Sequence, residues 1–307
     1  MWKIVSGLFL GWSLGTNDSA SVFGTGVSTG IVKYHTAVLL TAFFVILGAL
    51  IEGPKCMGTF GELSRLLSIE AFFCTLAAAI IMAIMTYLAI PASASQAIVG
   101  AVIGAGIISG SADFAKLFKI VSCWVVAPIA ALFIAYVLHR FLSYLMAKTV
   151  TSLTRRNSLY YIGIMLTGSY GAYSLGANNV ANVTGVYVSS GMLSAEIAAL
   201  IGGLSIASGV MTSSKKVMMT VGKGIVPLDP FSALVAVFAE AVTLHAFTQL
   251  GVPVSFSQAI VGAVVGIGLV GDVQTVSGRM LIKIVLGWVL TPVLAGSLTF
   301  VSVRLLT

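Results

Sequence analysis

Apolar runs of about twenty residues, separated by short polar stretches, recur along the whole chain. In the first half they fall at roughly 4 to 31, 36 to 53, 69 to 90, 94 to 112 and 117 to 147, and a second set fills about 158 to 305. A helix needs about 20 apolar residues to cross about 30 Å of hydrocarbon, so each run predicts a membrane segment, five per half. A transmembrane barrel would show shorter alternating segments, and this chain lacks them. Polar interruptions stand inside four of the runs. "LGTNDSAS" (14 to 21) and "LGANNVAN" (175 to 182) lie within the first run of each half, and "PASASQ" (91 to 96) and "PVSFSQ" (253 to 258) open the fourth. Gly, Pro and polar groups are tolerated at membrane depth around a protein-lined cavity, so broken or re-entrant helices are expected at these four places.

The interruptions belong to a longer duplication. An offset of 161 takes Asp18 to Asn179, Gly24 to Gly185, Gly48 to Gly209, Lys55 to Lys216 and Thr59 to Thr220. At 162, "PASASQAIVGAVIGAG" lies over "PVSFSQAIVGAVVGIG", and at 164 Trp124 falls on Trp288 and Pro128 on Pro292. Coincidence of Asn, Ser, Gln, Lys, Trp and Pro in the same order is not a by-product of shared hydrophobicity. An odd number of segments per copy makes the second copy enter the membrane from the opposite side. The expected fold is an all-α polytopic membrane protein of two inverted-topology repeats, residues 1–150 and 151–307. Secondary transporters use this design and bind their substrate where the repeats meet.

Composition narrows the function classes. Of 307 residues, 58% are hydrophobic and 8% charged, with mean hydropathy +1.08; soluble chains carry about 25% charged residues, so a water-facing surface is excluded. The net charge of +7 is scattered over short loops without an aromatic-interleaved patch, so it reads as topology charge and not as a nucleic-acid surface. Lys148, Arg155 and Arg156 in the connector, and Lys215, Lys216 and Lys223 farther on, fall on one side of a ten-segment count. The positive-inside rule makes that side cytoplasmic and places both termini outside. The opening "MWKIVSGLFLGWSL" belongs to the duplication and is expected to stay in the mature chain. Cys56, Cys74 and Cys123 have no ligand or C-x-x-C spacing and read as packing residues. His35, His139 and His245 stand too far apart in sequence to suggest a metal site. Neither a P-loop nor a paired-acid motif occurs, which argues against ATP drive and against an enzyme.

Asp18 stands about half a span into its run, where an exposed carboxylate costs roughly 2.5 to 3.5 kcal/mol on insertion scales. Two readings compete and overlap: a cap for a helix starting at Ser19, or a cation ligand beside the carbonyls of a helix end in mid-membrane. Ser93, Ser95 and Gln96, with Ser255, Ser257 and Gln258, are either plain helix N-caps or the hydroxyl and amide donors of an oxyanion site; their duplication favours the second. Lys55 and Lys216 either attract an anion or snorkel to the interface. Glu240, in an apolar run with no acid at the matching place, serves a proton or cation path or bonds a neighbouring helix. Glu52 and Glu196, near segment ends, are expected to be solvated.

These motifs resemble those of the inorganic phosphate transporter (PiT) family of cation-coupled permeases. Its "GANDVAN"-type signature is answered by "GTNDSAS" and "GANNVAN", and its "P-x-S-x-(S/T)" stretch leading to "(H/Q)-x-I-V-G-A" by "PASASQAIVGA" and "PVSFSQAIVGA". The resemblance covers nearly the whole chain. It implies inorganic phosphate and a coupling cation, sodium ion or proton, bound between the repeats, with both termini outside and a homodimer in the cell membrane. No organic cofactor is implied. Carried over by position, the ligands are Asn17, Asp18, Asn178, Asn179 and Asn182 with Ser93, Ser95, Ser255 and Ser257, joined by Gln96 and Gln258; the cation falls to Asp18 with Asn17 and Asn179, and sodium to Asp18. Three positions depart from the pattern: Asn179 replaces the second acid, Ser21 the last asparagine of the first signature, and Gln96 and Gln258 a frequent histidine. An asparagine amide donates where a carboxylate accepts, so sulfate, which has only acceptors, is the alternative to phosphate; a passive anion channel is a third reading.

Overall fold

The computed structural model describes residues 2–88, 92–212, 228–270 and 278–305, and these are helical nearly throughout, with no strand among them. After a 3-10 turn at Trp2–Ile4 come α1 (Val5–Ser28), α2 (Tyr34–Glu52), α3 (Pro54–Leu63), α4 (Ser68–Tyr87), α5 (Ala94–Ser109) and α6 (Phe114–Thr149). The second half supplies α7 (Leu153–Ser189), α8 (Ala195–Thr212), α9 (Pro230–Gln249), α10 (Phe256–Gly268) and α11 (Gly278–Arg304). Among the described residues six helices are long and apolar enough to cross a membrane: α2, α4, α6, α8, α9 and the part of α11 from Ile284 to Arg304. The chain is an integral membrane protein. At about 1.5 Å per residue, α5 and α10 reach only about 24 and 20 Å, too short to span the hydrocarbon.

Glycines set the packing, and they do so in matched pairs. A Cβ on Gly15 of α1 would strike the Ile206 carbonyl of α8, and one on Gly176 of α7 would strike the Val45 carbonyl of α2. Gly209 meets Trp12 and Gly48 meets Tyr173 in the same way. Every member of one contact maps onto its counterpart at the offset of 161. The short helices repeat the arrangement. Gly100 and Gly104 of α5 lie against the backbone of Pro292 and Gly296 in α11, while Gly262 and Gly266 of α10 lie against Pro128 and Leu132 in α6. Small residues let helix backbones touch where no water is available to drive association. Each half thus packs its short helix on the last helix of the other.

Several expectations need correction. The helices of "LGTNDSAS" and "LGANNVAN" are unbroken: α1 runs 24 residues and α7 37. Asp18 is therefore interior to α1 and caps no helix start. The motif glycines serve close approach to α8 and α2, and the backbone stays bonded within the helix, so no free carbonyls arise there. At the other two places helices do begin, with α5 at Ala94 and α10 at Phe256. Helix α3 was not foreseen; at ten residues with Lys55 and Glu62 it reads as a loop. Lys215, Lys216, Thr220 and Lys223, and Pro91 of "PASASQ", lie outside the described residues. The three cysteines are free, with Cys56 and Cys74 buried.

Candidate functional site

The starts of α5 and α10 meet inside the protein. Ser93 Oγ accepts from the Gln96 N–H at 3.3 Å and Ser255 Oγ from the Gln258 N–H at 3.2 Å, so the first serine of each motif is the N-cap. The second serine crosses to the other half. Ser95 Oγ donates to the Val254 carbonyl at 2.8 Å, and Ser257 Oγ to the Ala92 carbonyl at 3.1 Å. At an offset of 162 these are one contact made twice. Ser255 and Ser257 hydroxyls are also 3.1 Å apart. Both helix N-termini carry first-turn N–H groups with no carbonyl a turn earlier, and both positive dipole ends point to the same region. Ser93, Ser95, Gln96, Ser255 and Gln258 are buried and Ser257 is half-buried.

Helix α7 brings its asparagines to the same place. Asn182 Nδ2 donates to Asn179 Oδ1 at 2.7 Å and to Ser95 Oγ at 2.9 Å. Asn179 Nδ2, Asn182 Oδ1, Gln96 Oε1 and Gln258 Oε1 are buried without a hydrogen-bond partner. Buried polar atoms in native proteins are nearly always paired, so these four unpaired atoms beside the helix starts make this the candidate binding site. Asn178 differs. Its Nδ2 donates to Thr248 Oγ1 at 3.0 Å and the Val252 carbonyl at 3.3 Å, and its Oδ1 accepts from the Val254 N–H at 3.0 Å. Its amide is consumed in fastening the 250–255 loop that delivers α10, and it is a positioning residue.

The α1 pair stands apart. Asn17 Nδ2 donates to Thr86 Oγ1 at 2.7 Å, tying α1 to the end of α4. Asp18 is buried, and among the described residues no hydrogen bond joins it or Asn17 to the serine and asparagine cluster. Glu240 of α9 is fully buried, and neither of its carboxylate oxygens has a hydrogen-bond partner among the described residues.

Sequence reasoning missed one polar network. Glu52, expected to be solvated, has a side chain only 12% exposed. Its Oε1 accepts from Lys55 Nζ at 2.8 Å and Gln249 Nε2 at 2.9 Å, and its Oε2 lies 2.9 Å from His245 Nε2. His245 Nδ1 is 2.7 Å from the Tyr170 hydroxyl, and Lys55 also donates to Gln249 Oε1 at 2.7 Å. Lys55 is therefore held by its own chain. The partners come from α2, α3, α7 and α9, and no local pattern links residues almost 200 positions apart.

With two helix starts, paired serines and orphaned amides in one buried place, comparison with known proteins becomes informative. A family model described as "Phosphate transporter family" matches residues 14–299. The chain belongs to the phosphate transporter family. A protein of Methanocaldococcus jannaschii named as a phosphate permease is 27% identical over 304 residues, 99% of this chain and 97% of its own. The sulfate permease CysP of Bacillus subtilis is also 27% identical, over 98% of this chain and 86% of its own. A solved structure titled "The sodium-dependent phosphate transporter" shares the fold at a TM-score of 0.87 and 22% identity, covering 99% of this chain and 98% of that one. The unbroken α1 and α7 and the short α5 and α10 thus belong to a transporter fold.

Proposed function

We propose that the protein is a secondary transporter that carries inorganic phosphate across the cell membrane in symport with sodium or protons, by alternating access. The observation that carries this reading is the crossing of the α5 and α10 starts, with Ser95 and Ser257 reaching reciprocally into the other half and the orphaned Asn179 amide beside them. Hydroxyls, an amide and two helix N-termini are the donors an oxyanion needs, and the cluster contains no carboxylate to repel it. The anion is bound by Ser93, Ser95, Gln96, Ser255, Ser257, Gln258, Asn179 and Asn182, with Asn178 holding the loop in place. Asp18, with Asn17 and Asn179 as the polar neighbours expected from the motif, holds the coupling cation. The halves 1–150 and 151–307 are inverted repeats that move against each other, with both termini outside and two copies forming a homodimer. No covalent chemistry on the substrate is needed.

Alternating access requires two packings of the halves that differ by so little that a few kcal/mol of differential binding biases the two faces; the close backbone contacts at the glycines support movement of the helices as rigid bodies. Sulfate is the second reading, favoured by Asn179. An amide there can donate to a fully deprotonated oxyanion, which the second acid of the "GANDVAN" pattern could not do, and one relative is named a sulfate permease. Binding of labelled phosphate to the purified protein, with unlabelled sulfate as competitor, decides between them. Ser95→Ala is expected to weaken binding about tenfold or more, since the hydroxyl that reaches the Val254 carbonyl here turns to the anion when it binds, and a hydrogen bond to a charged group is worth about 1.5 to 3 kcal/mol. Unchanged affinity would remove the α5 start from the site.

A further inference from the structure

The tip that joins α9 to α10, residues 250–255, ends on the Ser255 cap and so sets where the second helix start lies. It is held from two sides. Asn178 of α7 fastens it from within the second half, through the Val252 carbonyl and the Val254 N–H. From the first half it meets the corner where α2 ends and α3 begins. Thr59 Oγ1 donates to the Gly251 carbonyl, and a Cβ on Gly251 would lie 3.0 Å from the Lys55 carbonyl. Gly251 has a φ of 70°, a left-handed conformation that glycine adopts without a steric cost, so the tip can turn while pressed against the corner.

Side chains complete the contact as a closed ring. Lys55 Nζ donates to Glu52 Oε1 at 2.8 Å and to Gln249 Oε1 at 2.7 Å, and Gln249 Nε2 returns a bond to Glu52 Oε1 at 2.9 Å. His245, one turn earlier on α9, adds its Nε2 at 2.9 Å from Glu52 Oε2. Glu52, Lys55 and Thr59 belong to the first half of the chain, and His245, Gln249 and Gly251 to the second. Lys55 and Gln249 are exposed, whereas Ser95, Gln96, Ser255 and Gln258 are buried. The clasp is therefore the outer layer and the serine cluster the inner one, with the 250–255 tip between them.

Movement of packed bodies against each other keeps the contacts inside each body and breaks those between them. The Asn178 bonds to the tip are of the first kind and the clasp is of the second. An exposed ion pair and its hydrogen bonds hold weakly, because water competes for the same groups, so this layer parts and re-forms easily while the serines behind it stay covered. Glu52 and Lys55 are three residues apart on one corner and remain paired when Gln249 leaves, so opening bares no lone charge. We infer that Glu52, Lys55 and Gln249 form a gate over the anion site, closed in this structure, which parts to admit or release the anion and shuts behind it. The inference rests on the transport reading and adds gating residues to it. These side chains act through the 250–255 tip and are positioning residues.

The test uses the full chain in proteoliposomes, with labelled phosphate and, separately, labelled sulfate as probes. In a background with Cys56, Cys74 and Cys123 replaced, Lys55→Cys and Gln249→Cys are combined, bridged by a short bifunctional thiosulfonate, and later released with dithiothreitol. Bridging is expected to abolish uptake relative to the same protein unbridged, and reduction to restore it. Lys55→Cys alone and Gln249→Cys alone, treated alike, should keep their uptake. Undiminished uptake by the bridged protein overturns the inference while leaving anion transport intact, and so does an equal block in either single variant. A wild type that moves neither anion overturns the transport reading itself. Should the unbridged pair be inactive, a second measurement decides without uptake. Gln249→Leu unfastens the clasp, so a cysteine introduced by Ser257→Cys behind the tip should react severalfold faster with a small impermeant thiosulfonate than it does when Gln249 is kept. An unchanged reaction rate overturns the gate.

Discussion

At the residue scale the decisive difference is between Asp18 and Asn179, equivalent by position and opposite in chemistry. Asn179 presents a buried amide with a free N–H pair to the place where the helix starts meet. Asn179→Asp restores the second acid and puts an acceptor in place of that donor. Hydrogen phosphate can answer with its own proton and sulfate cannot. Sulfate uptake is expected to fall further than phosphate uptake in this variant, by about tenfold relative to phosphate, the worth of about 1.4 kcal/mol. Equal losses would show that Asn179 does not face the anion. Asp18→Asn is expected to abolish concentrative uptake while leaving a folded protein, since it removes a buried charge without changing volume; undiminished accumulation would take Asp18 out of the coupling machinery. The motif residues were legible in the sequence because polar side chains stand out in apolar runs. Their division of labour was not. Asn178 and Asn179 read alike, yet one is spent on the 250–255 loop and the other is open.

At the element scale the packing rests on glycines where backbones touch. Gly176→Leu places a branched side chain against the Val45 carbonyl, and overpacking of this kind costs about 1 to 3 kcal/mol. A lower unfolding midpoint in detergent is the expected reading, and the matching Gly15→Leu should behave alike; a neutral result at both positions would deny the close contact. The helix segments themselves were readable from hydropathy, and so were the starts of α5 and α10 from Pro and paired Ser. Helix continuity in α1 and α7 was not, because local polarity suggested breaks while burial against α8 and α2 keeps the helix whole. Tertiary packing overrides weak intrinsic preference. Helix α3 and the Glu52 network escaped for a related reason: Gln249 and His245 reach Glu52 only after the chain has crossed into its second half.

At the scale of the whole molecule, the same contacts made twice with partners exchanged are what two repeats meeting at a shared site require. The proposed opposite orientation of those repeats would put both termini outside and the basic connector around Arg155 inside. In a background with Cys56, Cys74 and Cys123 replaced, a cysteine added at either terminus should react with an impermeant maleimide on intact cells. One placed beside Arg155 should react only after permeabilisation, and the reverse pattern would contradict the orientation. The central claim is coupled, uphill movement of an oxyanion, and it is tested most directly by uptake of labelled phosphate into proteoliposomes with pH and sodium gradients imposed separately. Internal phosphate is expected to rise above the external concentration under an imposed gradient and to fall back when that gradient is collapsed. Equilibration that never exceeds the external concentration would instead indicate a channel, and absence of movement of phosphate and sulfate alike would contradict transport altogether.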